Sequence, residues 1–186
     1  MTGKLSRAAA GRNGASRTPV ATFEMLAEGL ADASTVSCRL TGDSMRPLLC
    51  DGDQMILEAL HTPASVGSLL LFQSEHGELV CHRVIQAGPP IALLGDANRR
   101  LDLIPPGRPL GRAVAAVRGG RRLRLDGGAA AGVAAPLAWA HRHSRRWRTG
   151  SSRALRVAGR VLDIARVGVA HAAARIAWSR ATPERR

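Results

Sequence analysis

Short apolar runs rich in Val, Leu and Ile fill the middle of this chain, and turn-forming residues separate them. Gly, Pro and Asp supply many of the breaks, as at residues 51–53 and 105–107. Apolar runs of about four to eight residues between such breaks are typical of β-strands joined by tight turns. The pattern predicts a mainly β fold, a small barrel or sandwich. Its strands are expected at residues 36–40, 54–58, 68–72, 79–85, 91–94, 111–117 and 122–125.

Helical spacing of apolar residues lies on both sides of these strands. Phe23, Leu26 and Leu30 predict a short N-terminal helix over residues 21–33. From residue 152 onward, apolar residues recur three and four positions apart, which predicts a basic amphipathic helix. Its apolar residues are Leu155, Ala158, Leu162, Ala165, Val169, Ala172 and Ile176.

Four arginines of the C-terminal helix fall opposite its apolar residues, and two interpretations fit that arrangement. In the first, the apolar side docks on the protein's own core and the arginines face solvent. In the second, the helix lies on an anionic membrane or binds a partner. The sequence favours neither. The arginines are Arg153, Arg156, Arg160 and Arg175.

The basic residues are concentrated at the two ends of the chain, which has a net charge of +13. Residues 23–128 carry 11 basic and 12 acidic side chains, whereas residues 129–186 carry 12 basic and two acidic ones. A near-neutral globular unit between basic ends fits this division. We predict a disordered basic tail at 1–20, a domain at 21–126, a linker with a short helix at 127–151, and the basic amphipathic helix and its tail at 152–186.

Nothing in the sequence predicts a membrane-spanning helix or a secretory signal. The longest apolar stretch without a charge, residues 129–140, is shorter than the about 20 residues that a spanning helix needs. The N-terminus lacks the apolar core of a signal peptide. Three cysteines without paired spacing fit reduced thiols and no metal cluster. We therefore expect a cytoplasmic protein, free or peripheral to a membrane, with no metal and no cofactor.

Three polar segments hold the residues with catalytic chemistry. Ser44 lies in a glycine-containing turn, His82 in an apolar strand, and Asp96 and Asp102 in one polar loop. A serine hydroxyl needs a base within hydrogen-bond reach, and the imidazole needs a carboxylate to fix its tautomer. Lys4 is the only lysine and lies in the predicted tail, so a lysine base is disfavoured. These residue types alone are a weak signal, because any chain of this length contains them.

The order and spacing of these motifs resemble the signal peptidase I superfamily, the S24 and S26 serine peptidases. Within it, the chain is similar to the archaeal and endoplasmic-reticulum branch, in which His replaces the general-base Lys. The resemblance covers roughly residues 36–118. Its segments are Gly-Asp-Ser-Met-Arg-Pro at 42–47, Gly-Asp at 52–53, Val-Gly at 66–67, His-Arg-Val-Ile at 82–85, the loop at 95–102 and Leu-Gly-Arg at 110–112.

The resemblance implies roles for individual residues. Ser44 would be the nucleophile and His82 the general base, with Asp102 preferred over Asp96 as the acid that orients His82. Arg83 is expected to pair with a loop aspartate. The implied substrate-binding residues are Met45 and Gly42.

Two departures from the family bear on activity. Gly42 stands where these enzymes usually carry a hydroxyl that assists the oxyanion hole, which would then rely on backbone N–H groups or Thr41. Losing one such donor costs about 100- to 1,000-fold in turnover. Asp43 also places a negative charge beside Ser44. No membrane anchor is predicted before the serine, in contrast to signal peptidases.

We therefore predict a serine endopeptidase that cleaves a leader or signal segment from a precursor peptide or protein, bound as an extended strand. The alternative is a catalytically weak peptide-binding or regulatory module with the same fold. A self-cleaving regulator is a third hypothesis, although it predicts a helix-turn-helix and a lysine base. Cys81 is expected to be a buried thiol. The Arg-rich residues 142–148 carry one aromatic side chain and no recognition motif, so nucleic-acid binding is not predicted.

Overall fold

Two helices frame the β-rich region. The computed structural model describes residues 21–32, 35–98, 100–105, 109–126 and 153–184. The first helix, α1, covers Ala21–Asp32 and the second, α2, covers Arg153–Ser179. Both agree with the sequence prediction. The predicted disordered tail at 1–20 and the predicted linker and short helix at 127–151 lie outside the described residues.

The mainly β prediction is confirmed. The strands are β1 Val36–Arg39, β2 Gln54–Ala59, β3 Leu69–Gln73, β4 Leu79–Gln86, β5 Ile91–Leu94, β6 Asp102–Ile104, β7 Pro109–Arg118, β8 Arg121–Arg124 and β9 Thr182–Pro183. All seven predicted runs are strands, and their ends differ from the prediction by at most two residues. The short strands β6 and β9 were not predicted.

All strand pairs in the described part of the chain are antiparallel and belong to one sheet. The order is β1-β2-β7-β3-β4-β5-β6, and β8 pairs with both β7 and β9. The edge strands of the main path are therefore β1 and β6. The turn that carries Ser44 follows β1, and Asp102 opens β6.

Strand β3 is buried on both faces, which explains its uninterrupted apolar sequence. Side chains alternate between the two faces of a strand. Leu69 and Leu71 face the larger core, whereas Leu70 and Phe72 face a smaller one. The neighbouring strand β4 is also buried on both faces, so its polar residues enter the interior on opposite sides.

Helix α2 docks through small side chains near its C-terminal end. Ala174 and Ala177 are buried and pack against the larger core. Next to them, Nε1 of Trp178 donates a hydrogen bond to the carbonyl oxygen of Leu48 at 2.8 Å. Alanine side chains let the helix backbone approach the domain closely, and the indole then reaches a buried carbonyl group.

The interpretation in which the apolar side of α2 docks on the core is wrong for its described residues. Val169, Ala172 and Ile176 are exposed, while the alanines on another face of the helix are buried. Helical periodicity identifies an apolar face, but the shape of the surface below it decides which face packs. Neither described helix has the length and apolar character needed to cross a membrane.

Candidate active site

Ser44 lies in a turn that the core holds in place. Gly42, at the start of the turn, has φ 89°, a conformation that favours glycine, and its N–H donates to Oδ1 of Asp51 at 2.9 Å. After Ser44, Met45 and Leu49 are fully buried in the larger core. Ser44 itself is 5% exposed. The hydroxyl is therefore carried by a segment whose flanking side chains are anchored.

His82 lies on β4, buried beside the ring of Phe72 in the smaller core. Its Nδ1 is 2.6 Å from Oδ2 of Asp102, the first residue of β6. A carboxylate at Nδ1 favours the tautomer in which Nδ1 carries the proton and Nε2 has a free lone pair. Of the two candidate acids, Asp102 is thus the one that contacts His82.

Asp96 has a different partner. Nε and NH2 of Arg83 donate to its two carboxylate oxygens at 2.8 and 2.6 Å, and NH1 donates to the carbonyl oxygen of Gly67 at 3.1 Å. Both side chains are almost completely buried. Burial by itself would lower the pKa of Arg83, but the charge and hydrogen bonds of Asp96 raise it above its usual value. The predicted pairing of Arg83 with a loop aspartate is confirmed.

The loop after β5 brings these groups together at Gly95. A Cβ atom on Gly95 would lie 2.7 Å from the carbonyl oxygen of Ser44, 2.8 Å from Nδ2 of Asn98 and 2.9 Å from Nε2 of His82. The N–H of Ala97 also donates to the Ser44 carbonyl oxygen at 2.9 Å. The Ser44 turn, Nε2 of His82 and the loop therefore surround one point where only glycine fits.

Asn98 and Gly95 belong to this site but were given no role from the sequence. Nδ2 of Asn98 is 3.5 Å from Nε2 of His82. Both residues lie in the polar loop at 95–102, which the sequence had already identified as one of the segments with catalytic chemistry. Their contacts depend on how the loop folds back over the Ser44 turn, and sequence spacing does not give that.

The residues around Ser44 clarify the two departures from the family pattern. Asp43 pairs with Arg46 at 2.8 Å, and both side chains are more than half exposed, so the charge of Asp43 is directed to the surface. The N–H of Gly42 is already bonded to Asp51. Met45 has no exposed area in this conformation. The substrate-binding roles of Gly42 and Met45 stay predictions.

A second network supports the Ser44 turn from the side of α2. Arg118 donates to both carboxylate oxygens of Asp53 at 2.7 and 2.6 Å and to the Leu48 carbonyl oxygen at 3.1 Å. Its guanidinium lies 4.3 Å from the centre of the Trp178 ring. Hydrogen bonding to Asp53 raises the pKa of Arg118. Asp53, which the sequence suggested was only a turn residue, thus anchors this network.

Two of the three thiols, those of Cys38 and Cys81, are poor candidates for an alternative nucleophile. Cys81 is buried, as predicted, and burial raises its pKa to about 12. Burial also raises the pKa of Cys38 to about 11. Both therefore stay protonated at neutral pH, and a protonated thiol is a poor nucleophile. Within the described ranges, no three His, Cys, Asp or Glu side chains are grouped to hold a metal ion.

Comparison with known protein families identifies a match. A family model described as Peptidase S24-like matches residues 4–103, more than half of the chain. The matched region contains Ser44, His82, Asp96 and Asp102. No curated protein matches the chain.

Proposed function

Since the chain belongs to the Peptidase S24-like family, we propose that it is a serine endopeptidase with Ser44 as nucleophile and His82 as general base. One observation carries the proposal. His82 is held at Nδ1 by Asp102, and its Nε2 borders the same point at Gly95 as the Ser44 backbone. A histidine oriented by a carboxylate, with its Nε2 close to the segment that carries the serine, supports a mechanism in which the three residues act in sequence.

The proposed reaction has two stages. Ser44 Oγ attacks the scissile carbonyl carbon while its proton passes to Nε2 of His82. The imidazolium returns that proton to the leaving amine, the peptide C–N bond breaks, and an acyl ester on Ser44 remains. Water, deprotonated by the same imidazole, then hydrolyses the ester and restores the hydroxyl. Asp102 keeps Nδ1 protonated and stabilises the imidazolium in both stages.

The oxyanion formed in each stage would be stabilised by backbone N–H groups close to Ser44. Gly42 contributes no hydroxyl, and its N–H is bonded to Asp51. Because each donor of an oxyanion hole is worth about 100- to 1,000-fold in turnover, we expect a slow enzyme. The same observation favours a second candidate function, a peptide-binding or regulatory module with little or no turnover.

The substrate proposed for the site is an extended peptide paired with β1. Among the described strands β1 pairs only with β2, so its outer edge can accept another strand. The chain leaves β1 at Arg39 and reaches Ser44 five residues later, and this closeness along the chain is the reason to place the peptide on this edge. By resemblance to signal peptidases with a histidine base, the substrate would be the leader or signal segment of a precursor.

The proposal is tested with a pooled peptide library, read by mass spectrometry at about pH 8, where histidines are generally neutral. We expect the wild type to cleave a subset of peptides, and Ser44→Ala and His82→Ala to abolish cleavage. Ser65→Ala and His61→Ala are the matched controls, since both residues are exposed and neither hydrogen-bonds to Ser44, His82 or Asp102. They should cleave like the wild type.

The outcomes separate the three functional hypotheses. Cleavage that survives Ser44→Ala would refute the serine mechanism. Binding of library peptides without cleavage, measured by affinity selection, would support the binding module instead. Fragments of the protein itself that disappear in Ser44→Ala would indicate self-cleavage, and the same spectra would reveal them.

A further inference from the structure

Helix α2 has an exposed aliphatic face that points away from the face docked on the domain. We call it the α2 stripe. Its valine and isoleucine side chains are 45–60% exposed, and all its members lie within about a third of the helix circumference. Aliphatic side chains of this size are usually buried when a partner is available. The described members are Val157, Val161, Val169, Ala172 and Ile176.

The α2 stripe lies in the most basic part of the chain. Residues 129–186 carry 12 basic and two acidic side chains. Arg175, predicted to lie opposite the apolar residues, is exposed near one margin of the stripe, and Arg180, just after the end of α2, is exposed near the other. No carboxylate of a described residue pairs with either arginine. Arginine side chains beside an aliphatic face bring long apolar stems and charged heads to the same surface.

Charge and apolarity together select the kind of partner. A second copy of the chain carries the same +13 charge, so pairing two stripes would bring like charges together. Nucleic acid would neutralise the arginines but leave the aliphatic residues uncovered. An anionic lipid surface can bind both kinds of side chain, because its phosphates pair with the arginines and its acyl boundary buries the aliphatic side chains.

We propose that the α2 stripe binds the surface of an anionic lipid bilayer. The helix lies in the plane of the headgroups with Val161, Val169 and Ile176 inserted, while its alanine face continues to hold the domain. Insertion of such a helix reaches about 5–10 Å into the headgroup region. The proposal does not depend on peptidase activity, and its test uses no substrate.

The test is co-sedimentation of the full chain with vesicles of phosphatidylcholine containing about one-third phosphatidylglycerol, compared with pure phosphatidylcholine. The matched variants are Val169→Asp and Val167→Asp. Val169 is 48% exposed on the stripe, and Val167 is 45% exposed about 200° around the helix. Both variants add the same charge, so the difference between them measures insertion of the stripe.

We expect the wild type to bind anionic vesicles, to bind zwitterionic vesicles far more weakly, and to be released at about 0.5 M salt. Val167→Asp should weaken binding about fivefold through its charge alone. Val169→Asp should weaken it about tenfold further, because a carboxylate replaces an inserted valine. Circular dichroism spectra and melting temperatures of both variants confirm that a loss of binding is not unfolding.

Three results would overturn the proposal. The wild type could fail to sediment with anionic vesicles, or the two variants could lose affinity equally. The protein could also bind duplex DNA in preference to anionic vesicles, with both variants equally affected. Equal losses or preferred DNA binding would indicate a charged surface that does not use the aliphatic residues.

Discussion

Two neighbouring residues of β4 each bind one aspartate, in different surroundings: one aspartate lies in the loop after β5 and the other opens β6. Arg83 and Asp96 form a two-pronged ion pair in which the side chains are 2% and 4% exposed. His82 is equally buried, but the side chain of Asp102 is 37% exposed. The guanidinium of Arg83 already neutralises the Asp96 carboxylate, so this carboxylate would add little stabilisation to a positively charged imidazolium. The first pair is suited to hold the loop, and the second to support a change of charge on His82.

The largest expected effect is the difference in activity between variants of the two carboxylates. Asp102→Asn removes the acceptor that fixes the His82 tautomer, so we expect kcat to fall about 1,000- to 10,000-fold with the fold intact. Asp96→Asn should leave kcat within about tenfold for the folded fraction, because its partner does not touch substrate. Steady-state cleavage of a library-selected peptide measures both. Equal losses of kcat in the two folded variants would contradict the assignment of different roles to the two pairs.

The next effect separates the same carboxylates by stability. Asp96→Asn leaves the Arg83 charge buried without its counter-charge, which costs about 3–5 kcal/mol in the free energy of unfolding. Replacing both partners by apolar residues, Arg83→Met with Asp96→Leu, should recover most of that loss. Urea denaturation gives the values, with Asp102→Asn as the control that changes by less than about 1 kcal/mol. A stable Asp96→Asn variant would contradict a structural role for the pair.

Gly95 lies between the two pairs, and a side chain there should disturb the proposed catalytic pair, His82 and Asp102, first. Gly95→Ala places a methyl group against the Ser44 carbonyl oxygen and Nε2 of His82. Displacing either by about 1 Å lowers turnover on the order of 100-fold, with a stability loss of about 1–3 kcal/mol. Gly168→Ala is the control, since nothing lies within 4 Å of its added Cβ. Normal kinetics in Gly95→Ala would show that the contact at Gly95 is not needed.

The smallest effect concerns Cys81, which lies on the Arg83 side of β4. Burial raises its pKa from 9.0 to about 12, so the unfolded chain releases this proton first as the pH rises. Stability from the neutral thiol is therefore complete below pH 9.0 and falls above it, by about 1.4 kcal/mol per pH unit until the folded thiol ionises. Thermal melts between about pH 8 and 10 should show a shallower decline for Cys81→Ala, and its kcat should match the wild type.

The local parts of the fold could be predicted from the sequence, and the parts made by distant contacts could not. Apolar runs and Gly, Pro and Asp breaks gave seven strands. Strand β6 was missed because Asp102, Leu103 and Ile104 form a strand only by pairing with β5. The sequence left open which face of α2 docks, because periodicity ranks faces by apolarity, whereas close approach favoured alanine.

The candidate site divides in the same way. The order of motifs nominated Ser44, His82 and two acids. The choice between Asp96 and Asp102 depends on which of them lies on the His82 side of β4, and that follows from the path of the chain between β5 and β6. Alternation along the strand placed His82 and Arg83 on opposite sides, but the return of the loop is a tertiary contact. For the same reason Asn98 and Gly95 could not be assigned.

The hydrogen bond from Trp178 to Leu48 joins residues 130 positions apart, and this separation has a consequence during translation. The ribosome makes the Ser44 turn and strands β1 to β8 before it makes Trp178. A nascent chain can therefore form most of the sheet while the Leu48 carbonyl accepts a hydrogen bond from Arg118 alone. The turn gains its second donor only after the end of α2 has emerged. Completion of the contacts that support the Ser44 turn is thus delayed relative to folding of the sheet.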